Sequence, residues 1–547
     1  MLRAYRAGAW QSKSWGVFAR EAAAAARSLR AAGVAAGERV LILAENGPEY
    51  PIAETALMAI RAIPVPAYTT NTPADHAHVL RDAGIRAAIV SSGALAERLL
   101  AGAALAGGLD LLVTGEPVPA APGIRTLAWS EIVAGDADAD DIAAEAGRIP
   151  PETIACLIYT SGTGGAPKGV MLPHRAILSN CRGAERLVGP LSLEGGIYLS
   201  VLPLSHSYEH TVGQFFLTSI GVEVVYGRGI EHLAADLMTI RPSLITIVPR
   251  LLEVVRGRIL GQIARAPGFQ RALFARALAN GLARIDGRPL STFARLAEPL
   301  LERLVRRKVQ ARFGGRLLLA VSGGARLEPE VGRFFLALGV PLIQGYGQTE
   351  AGPVISATPP GSTRIETVGP PLDGVELRIA EDGEILVRGD LVMLGYWNQP
   401  EETAAALAGG WLHTGDIGLL DADRHLRITD RKKDIIVLCG GDNISPARIE
   451  GLLMAEPEIL QAVVTGDGEA SLSALIAAAD GIDAAAVAQA VQRVNARLGV
   501  IERIRTHRIV PPFTQENGLL TPTQKIRRQT VLSMHNAAMD AAQRVRA

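Results

Sequence analysis

From Trp15 onward the chain alternates helix-period and strand-period segments: an Ala-rich helix over 18–32, a strand over 39–43, a helix over 49–61, and a short strand over 63–67. A further helix (74–83) and strand (87–90) follow. A parallel strand needs a crossover connection, so this alternation predicts an α/β fold with a mostly parallel sheet covered by helices. Because 547 residues exceed what one core serves, two or more domains are expected. The stretch from 116 to 151 is rich in Ala, Gly, Pro and Asp and reads as a connection before a strand at 154–159. A long Arg- and Leu-dense helical region spans 250–316, read chiefly as amphipathic with a solvated basic face, the other reading being contact with an anionic lipid or a CoA phosphate. Beyond Leu372, VELRIA, EILVRG and HLRITD suggest short antiparallel strands, and the cluster Asp430–Asp434 marks a boundary. The expected domains are 1–430 and a small mobile α+β domain, 431–547, with a βααβ-like pattern.

Lys plus Arg number 55 and Asp plus Glu number 55, so the net charge is zero and sequence-independent nucleic-acid binding has no electrostatic basis. Cys156, Cys181 and Cys439 are widely spaced and form no CxxC pair, which argues against a zinc site or a disulfide framework and for a reducing, cytoplasmic setting. No apolar run reaches the ~18 residues that span a bilayer, and the first residues lack the apolar core of a signal peptide.

The chemistry is concentrated in YTSGTGGAPKG, Tyr159 to Gly169, which places four glycines, three Ser/Thr hydroxyls and a lysine in eleven positions. Glycine lets the backbone approach phosphate oxygens, while N–H groups, hydroxyls and an ammonium neutralise them. The loop is not a Walker A motif: Gly162 and Lys168 have its spacing, but Pro167 stands where glycine is needed and Gly169 where Ser/Thr should follow. In GYGQTE, Tyr346 offers a flat face to adenine, Thr349 a hydroxyl to the α-phosphate, and Glu350 a hard oxygen ligand to Mg²⁺. Asp416 in HTGD is expected just after a turn, where a carboxylate accepts from both ribose hydroxyls.

The loop, followed in order by VSGGA (321–325), QGYGQTE (344–350), WLHTGD (411–416), DRKKD (430–434) and TPTQK (521–525), resembles the adenylate-forming superfamily of acyl-CoA synthetases, luciferases and nonribosomal-peptide adenylation domains. The resemblance covers most of the chain and is strongest to long-chain fatty acyl-CoA synthetases. It implies ATP, Mg²⁺ and coenzyme A as partners in the reaction. Thr160, Ser161, Gly162, Thr163 and Lys168 would bind phosphates, with Thr160 joining Glu350 on the metal. Gly323, Gly324, Ala325 and Gly347 would line the nucleotide site beside Tyr346 and Thr349. Arg431 would assist Asp416, and Lys525 would span the carboxylate and α-phosphate. Lys433 would be the hinge of a domain rotation after which Gly440 and Gly441 face the pantetheine. Two departures are present: SGTGG carries Gly164 where the family commonly has a hydroxyl, and Asp442 stands where relatives often carry a basic or neutral residue.

Amino-acid-activating relatives need a carboxylate early in the segment 202–216, LPLSHSYEHTVGQFF, to pair with the substrate ammonium, and no aspartate occurs there. Amino-acid substrates are therefore not expected; the same segment, with His206, Tyr208, Glu209 and His210, resembles long-chain fatty acyl-CoA synthetases, and that resemblance implies a medium- or long-chain fatty acid. His206 is either a polar gate near the substrate carboxylate or a buried hydrogen-bonded histidine. Gly213, Gly221 and the residues around Phe215 are expected to make room for the tail. Transfer to an acyl-carrier-protein thiol, release of free acyl-adenylate, or an inactive nucleotide-binding scaffold are the alternatives. The chain begins close to the family's early YRxGxW-like strand, which leaves a homodimer open, and the basic stretch 303–312 leaves open peripheral membrane contact.

Overall fold

The computed structural model describes residues 1–135, 137–160, 166–362, 364–440, 442–521 and 525–535. Its largest sheet has eight strands, in the order Val354–Ala357, Leu342–Gly347, Leu319–Ser322, Leu244–Ile247, Ile197–Ser200, Glu223–Tyr226, Leu2–Arg6 and Ala9–Lys13. Pairing is parallel through the centre and antiparallel only at the two edges. A second, wholly parallel sheet of five strands runs Ile63–Pro66, Arg39–Leu43, Ala87–Val90, Leu111–Thr114 and Arg125–Ala128. The central strands carry Val, Ile, Leu and Ala on both faces because helices cover both sides, as parallel sheets require.

Local signals set the helix ends. Ser14 caps Trp15–Ala31 by accepting from the Val17 N–H, and Ala22–Ala26 and Leu29 pack inward. Thr72 and Asp75 form a reciprocal capping box ahead of Pro73–Asp82. The region 116–151 is more ordered than expected. It contains the edge strand Arg125–Ala128 and the helices Trp129–Val133 and Ala139–Ala146, elements too short to show a period.

Past Leu372, Glu376–Ile379, Glu384–Arg388, Leu412–Leu420 and Leu426–Arg431 form a four-stranded antiparallel sheet, in line with the strand-like sequence there. A three-stranded antiparallel sheet joins Gly395–Tyr396 to the hairpin of Ile154–Thr160 and Lys168–Pro173. The C-terminal segment has its own core of Ile449, Leu453, Val464, Ile476, Val487 and Val494. Its order is a small hairpin, the helix Pro446–Met454, the strands Ile459–Thr465 and Leu472–Ala478, the helix Ala484–Asn495, and the strand Ile504–Ile509. The expected βααβ pattern thus gains two strands between its helices, since Gly466 to Ser471 turns the chain back antiparallel before the second helix.

Candidate active site

Open parallel sheets bind ligands beyond the carboxyl ends of their strands. The cavity of about 1110 Å³ lies there, reached by Thr246, by Gly323 and Gly324 after Leu319–Ser322, and by Tyr346 and Gly347 ending Leu342–Gly347. The lining is of two kinds. Thr160, Lys168, Thr349, Glu350, Asp416 and Lys525 make one part polar. Leu187 and Val188 from the helix His174–Val188, with Val212, Phe216, Leu217 and Leu244, make another part apolar.

Asp416 is the best-defined element of the polar part. It lies within the strand Leu412–Leu420 rather than after a turn. Gly415, at φ +70°, adopts a left-handed backbone that glycine enters without a Cβ clash. Asp416 stands directly across the ladder from Arg431, whose Nε is 3.2 Å from Oδ1, and Oδ2 accepts from the Tyr346 hydroxyl at 2.6 Å. Burial raises the Asp416 pKa, partly offset by Arg431 and then by the Tyr346 hydrogen bond. Glu384 accepts from the Gly415 N–H at 3.0 Å and from Lys432 Nζ at 2.9 Å, so the backbone feeding Asp416 is held by a charged pair.

Glu350 accepts from the Tyr396 hydroxyl at 2.9 Å through Oε1. Lys168 Nζ lies 5.2 Å over the Tyr396 ring and 3.8 Å from Glu402. Thr349 Oγ1 is 2.9 Å from Ser207 Oγ. No cluster of three or more His, Cys, Asp or Glu side chains able to cage a metal occurs among the described residues. Glu350 with the Thr160 hydroxyl supplies hard oxygens of the kind Mg²⁺ uses when phosphates and water complete its shell.

Lys525 lines the same cavity and keeps solvent contact; the protein crowded around its ammonium, then the charge of Arg431, lowers its pKa. His206 is half-buried, its Nδ1 accepts from the Tyr208 N–H at 3.2 Å, and burial followed by Lys525 pushes its pKa down to about 4. It is therefore neutral at pH 7, lining the cavity as an uncharged polar group.

Tyr346, Gly347, Arg431 and Lys433 also line the cavity. Gly347 has no room for a side chain, since a Cβ would come within 1.9 Å of the Pro353 carbonyl oxygen. Ser161, Gly162, Thr163 and Gly441 lie outside the described residues. Ala325 and Gly440 are solvent-exposed and lie outside the lining. Tyr396, Glu384 and Ser207 are contributors that no motif announced, because their place depends on partners far away in sequence.

Gly213 does not make room for a tail. A Cβ there would sit 2.5 Å from Glu209 Oε1 and 2.9 Å from the Tyr198 hydroxyl, so its bareness accommodates a buried carboxylate. Glu209 begins the π-helical segment Glu209–Phe216 and is fully buried. Its carboxylate accepts from Tyr198 at 2.7 Å, Thr246 at 2.7 Å and Ser200 at 2.5 Å, tying that segment to two strands. Burial outweighs the three donors and pushes its pKa up from 4.5 to about 7. The folded protein therefore holds this proton more tightly than the unfolded chain, and stability is lost as pH rises between these values, on the order of 3 kcal/mol in all. Thermal unfolding of Glu209→Gln and the parent across pH 5 to 8 should show the variant gaining relative stability as pH rises; parallel curves would refute this assignment.

The model of the AMP-binding enzyme family matches residues 2–397, and that of the AMP-binding enzyme C-terminal domain matches residues 433–545. The chain belongs to the AMP-binding enzyme family. Among relatives in that family, the long-chain-fatty-acid–CoA ligase FadD15 of Mycobacterium bovis is 33% identical over 98% of this chain and 92% of its own. Human long-chain-fatty-acid–CoA ligase 1 is 30% identical over 91% of this chain and 77% of its own. The fold matches o-succinylbenzoate CoA synthetase of Bacillus subtilis, solved with its acyl-adenylate, at a TM-score of 0.71 and 20% identity over 97% and 94% of the two chains. An anthranilate CoA ligase solved with anthranoyl-AMP gives 0.73 at 23% identity over 96% and 92%. The resemblance read from the motifs is thereby established at the level of the family and of its α/β fold.

Proposed function

We propose that the protein activates a medium- or long-chain fatty acid with ATP to an acyl-adenylate and passes the acyl group to coenzyme A. The observation that carries this is the continuity of one cavity from a cluster of cations, hydroxyls and carboxylates to a wall of Leu, Val and Phe. The carboxylates that line it, Glu350, Glu384, Glu402 and Asp416, group with the polar residues; Glu209 is saturated by its own hydroxyl donors. A substrate ammonium would find no free partner beside the apolar wall, whereas an alkyl chain needs none. The names of the relatives point the same way.

In this reading the apolar wall takes the alkyl chain, Lys168 and Thr160 hold phosphate oxygens, and Asp416 accepts from the ribose hydroxyls with Arg431 and Tyr346 fixing its position. Lys525 sits where negative charge builds as the substrate carboxylate attacks the α-phosphorus and pyrophosphate leaves. Mg²⁺, held by Glu350 and Thr160, would neutralise the phosphates. The thiol must then approach the same carbonyl, so we assign a rotation about Lys433 between domains 1–430 and 431–547, with Gly440 and Gly441 turning toward the pantetheine. A cytoplasmic setting with free CoA suits this cycle, and no described helix is long and apolar enough to cross a membrane.

The test is incubation with ATP, Mg²⁺ and carboxylic acids from acetate to oleate plus benzoate, with and without CoA, following AMP and acyl-CoA by mass spectrometry. CoA-dependent AMP release peaking at medium or long chains is expected. Accumulation of acyl-AMP without thioester would transfer the acceptor role to a carrier-protein thiol, and absence of any turnover would reduce the chain to a nucleotide-binding scaffold.

A further inference from the structure

In a chain whose charges balance overall, residues 250–316 hold fifteen Arg and Lys against four Asp and Glu, a local net charge of +11. All four acids are already engaged: Glu253 by Arg250, Asp286 by Arg288 and Arg333, Glu298 by Arg284 and Arg306, and Glu302 by Arg306. Exposed cations including Arg295, Arg303, Arg307 and Lys308 have no carboxylate partner among the described residues. The charge is thus concentrated on one region and left unneutralised.

The helix Thr292–Leu301 continues through a π-helical turn, Glu302–Arg306, into Arg307–Ala311. Ala294, Leu301, Val305 and Val309 face the core, all buried. Phe293, Leu296, Leu300, Arg303 and Arg307 recur at steps of three and four and share the opposite face. That outward face should be polar on an ordinary solvated helix, yet Phe293 is 86% exposed, Leu296 74% and Leu300 50%. An apolar stripe running into a line of arginines, in a region of strong positive charge, matches the boundary between acyl chains and anionic headgroups. Nucleic acid would satisfy the arginines but leave the Phe293–Leu296–Leu300 stripe in water.

We infer that the outward face of residues 292–308 docks on the surface of an anionic lipid bilayer, with Phe293, Leu296 and Leu300 entering the interface and Arg303, Arg307 and Lys308 on the headgroups. Docking of this kind is reversible and salt-sensitive and would set the protein beside the phase in which a long-chain acid partitions. The stripe and its flanking arginines are present whatever reaction the cavity carries out.

Co-sedimentation of the full chain with phosphatidylcholine vesicles, with and without phosphatidylglycerol, tests it. Binding to the anionic vesicles should exceed binding to neutral ones at least about tenfold and fall steeply with added salt. Phe293→Ser with Leu296→Ser should weaken it by about tenfold, as should Arg303→Glu with Arg307→Glu, while turnover of water-soluble octanoate stays at the parent level in both variants. That turnover separates a lost docking face from a misfolded or inactive chain, and a hydrogen-exchange comparison of the helix does the same if octanoate is not a substrate. Equal binding to neutral vesicles, or anionic binding that neither pair of substitutions alters, would overturn the inference. So would binding to a short DNA duplex as tight as to the anionic vesicles, insensitive to the Phe293/Leu296 change.

Discussion

Lys525→Ala should lower the rate of acyl-adenylate formation by about 10²–10³-fold while leaving thioester formation from preformed acyl-adenylate near the parent rate. Lys525 lines the cavity with Glu350, Asp416 and Arg431 and lies beyond the C-terminal core, so its ammonium reaches the polar part from another unit of the chain. A cation placed where charge grows in the transition state is worth more than one that merely binds ground-state phosphate, so the loss belongs in kcat more than in KM for ATP. Lys525→Arg tests whether a point charge is required: guanidinium is larger and planar, and should restore only part of the rate. Pyrophosphate exchange and single-turnover thioester formation read the two half-reactions separately. Equal losses in both would remove Lys525 from the adenylation step.

The motifs that stood out in the sequence owe their legibility to chemistry that needs particular residue types at short spacing. Lys168, Tyr346, Thr349, Glu350, Asp416, Arg431 and Lys525 come from five separate segments, and the fold brings all of them to one cavity. What short spacing cannot express is a partnership made across the fold. Tyr396 matters here through Glu350, 46 residues earlier, and Glu384 through the Gly415 backbone. In sequence, Gly213 suggests space for a ligand because a glycine among apolar residues looks alike whether it faces a cavity or a neighbouring side chain. Only the return of the Glu209 carboxylate, one helical turn back, distinguishes the two. HTGD suggests a turn before Asp416 because it carries a turn-forming glycine, although the left-handed Gly415 is accommodated inside a continuous strand. The parallel sheets were legible because helix and strand segments alternate along the chain, and the short elements of 116–151 were not, since runs of four to eight residues hold too little period to read.

Asp416→Ala should cost about 10²–10³-fold in kcat/KM for ATP, chiefly through KM, and should weaken AMP binding in step. This carboxylate is 5% exposed, accepts from the Tyr346 hydroxyl through Oδ2 and is ion-paired with Arg431 through Oδ1, so both oxygens are already engaged. Hydrogen bonds to a charged acceptor contribute roughly 1.5–3 kcal/mol each, and two ribose hydroxyls would be lost together. Truncation also strands the Tyr346 hydroxyl and leaves Arg431 without its counter-charge, so part of the effect is the penalty of unpaired partners. Tyr346→Phe separates the two, because it removes one positioning contact and keeps the acceptor, and should cost no more than about tenfold. Since burial raises the Asp416 pKa, protonation begins at a higher pH than for an ordinary aspartate. The neutral form is the poorer acceptor, so KM for ATP should climb on the acid side in the parent and stay flat with pH in Asp416→Ala. Lys525→Ala, by contrast, should retain the acid-side climb, because the nucleotide site is intact and only the rate of attack on phosphorus has changed. A variant at Asp416 that binds AMP as tightly as the parent would place the ribose elsewhere in the cavity and leave the Tyr346–Asp416–Arg431 cluster a purely structural role.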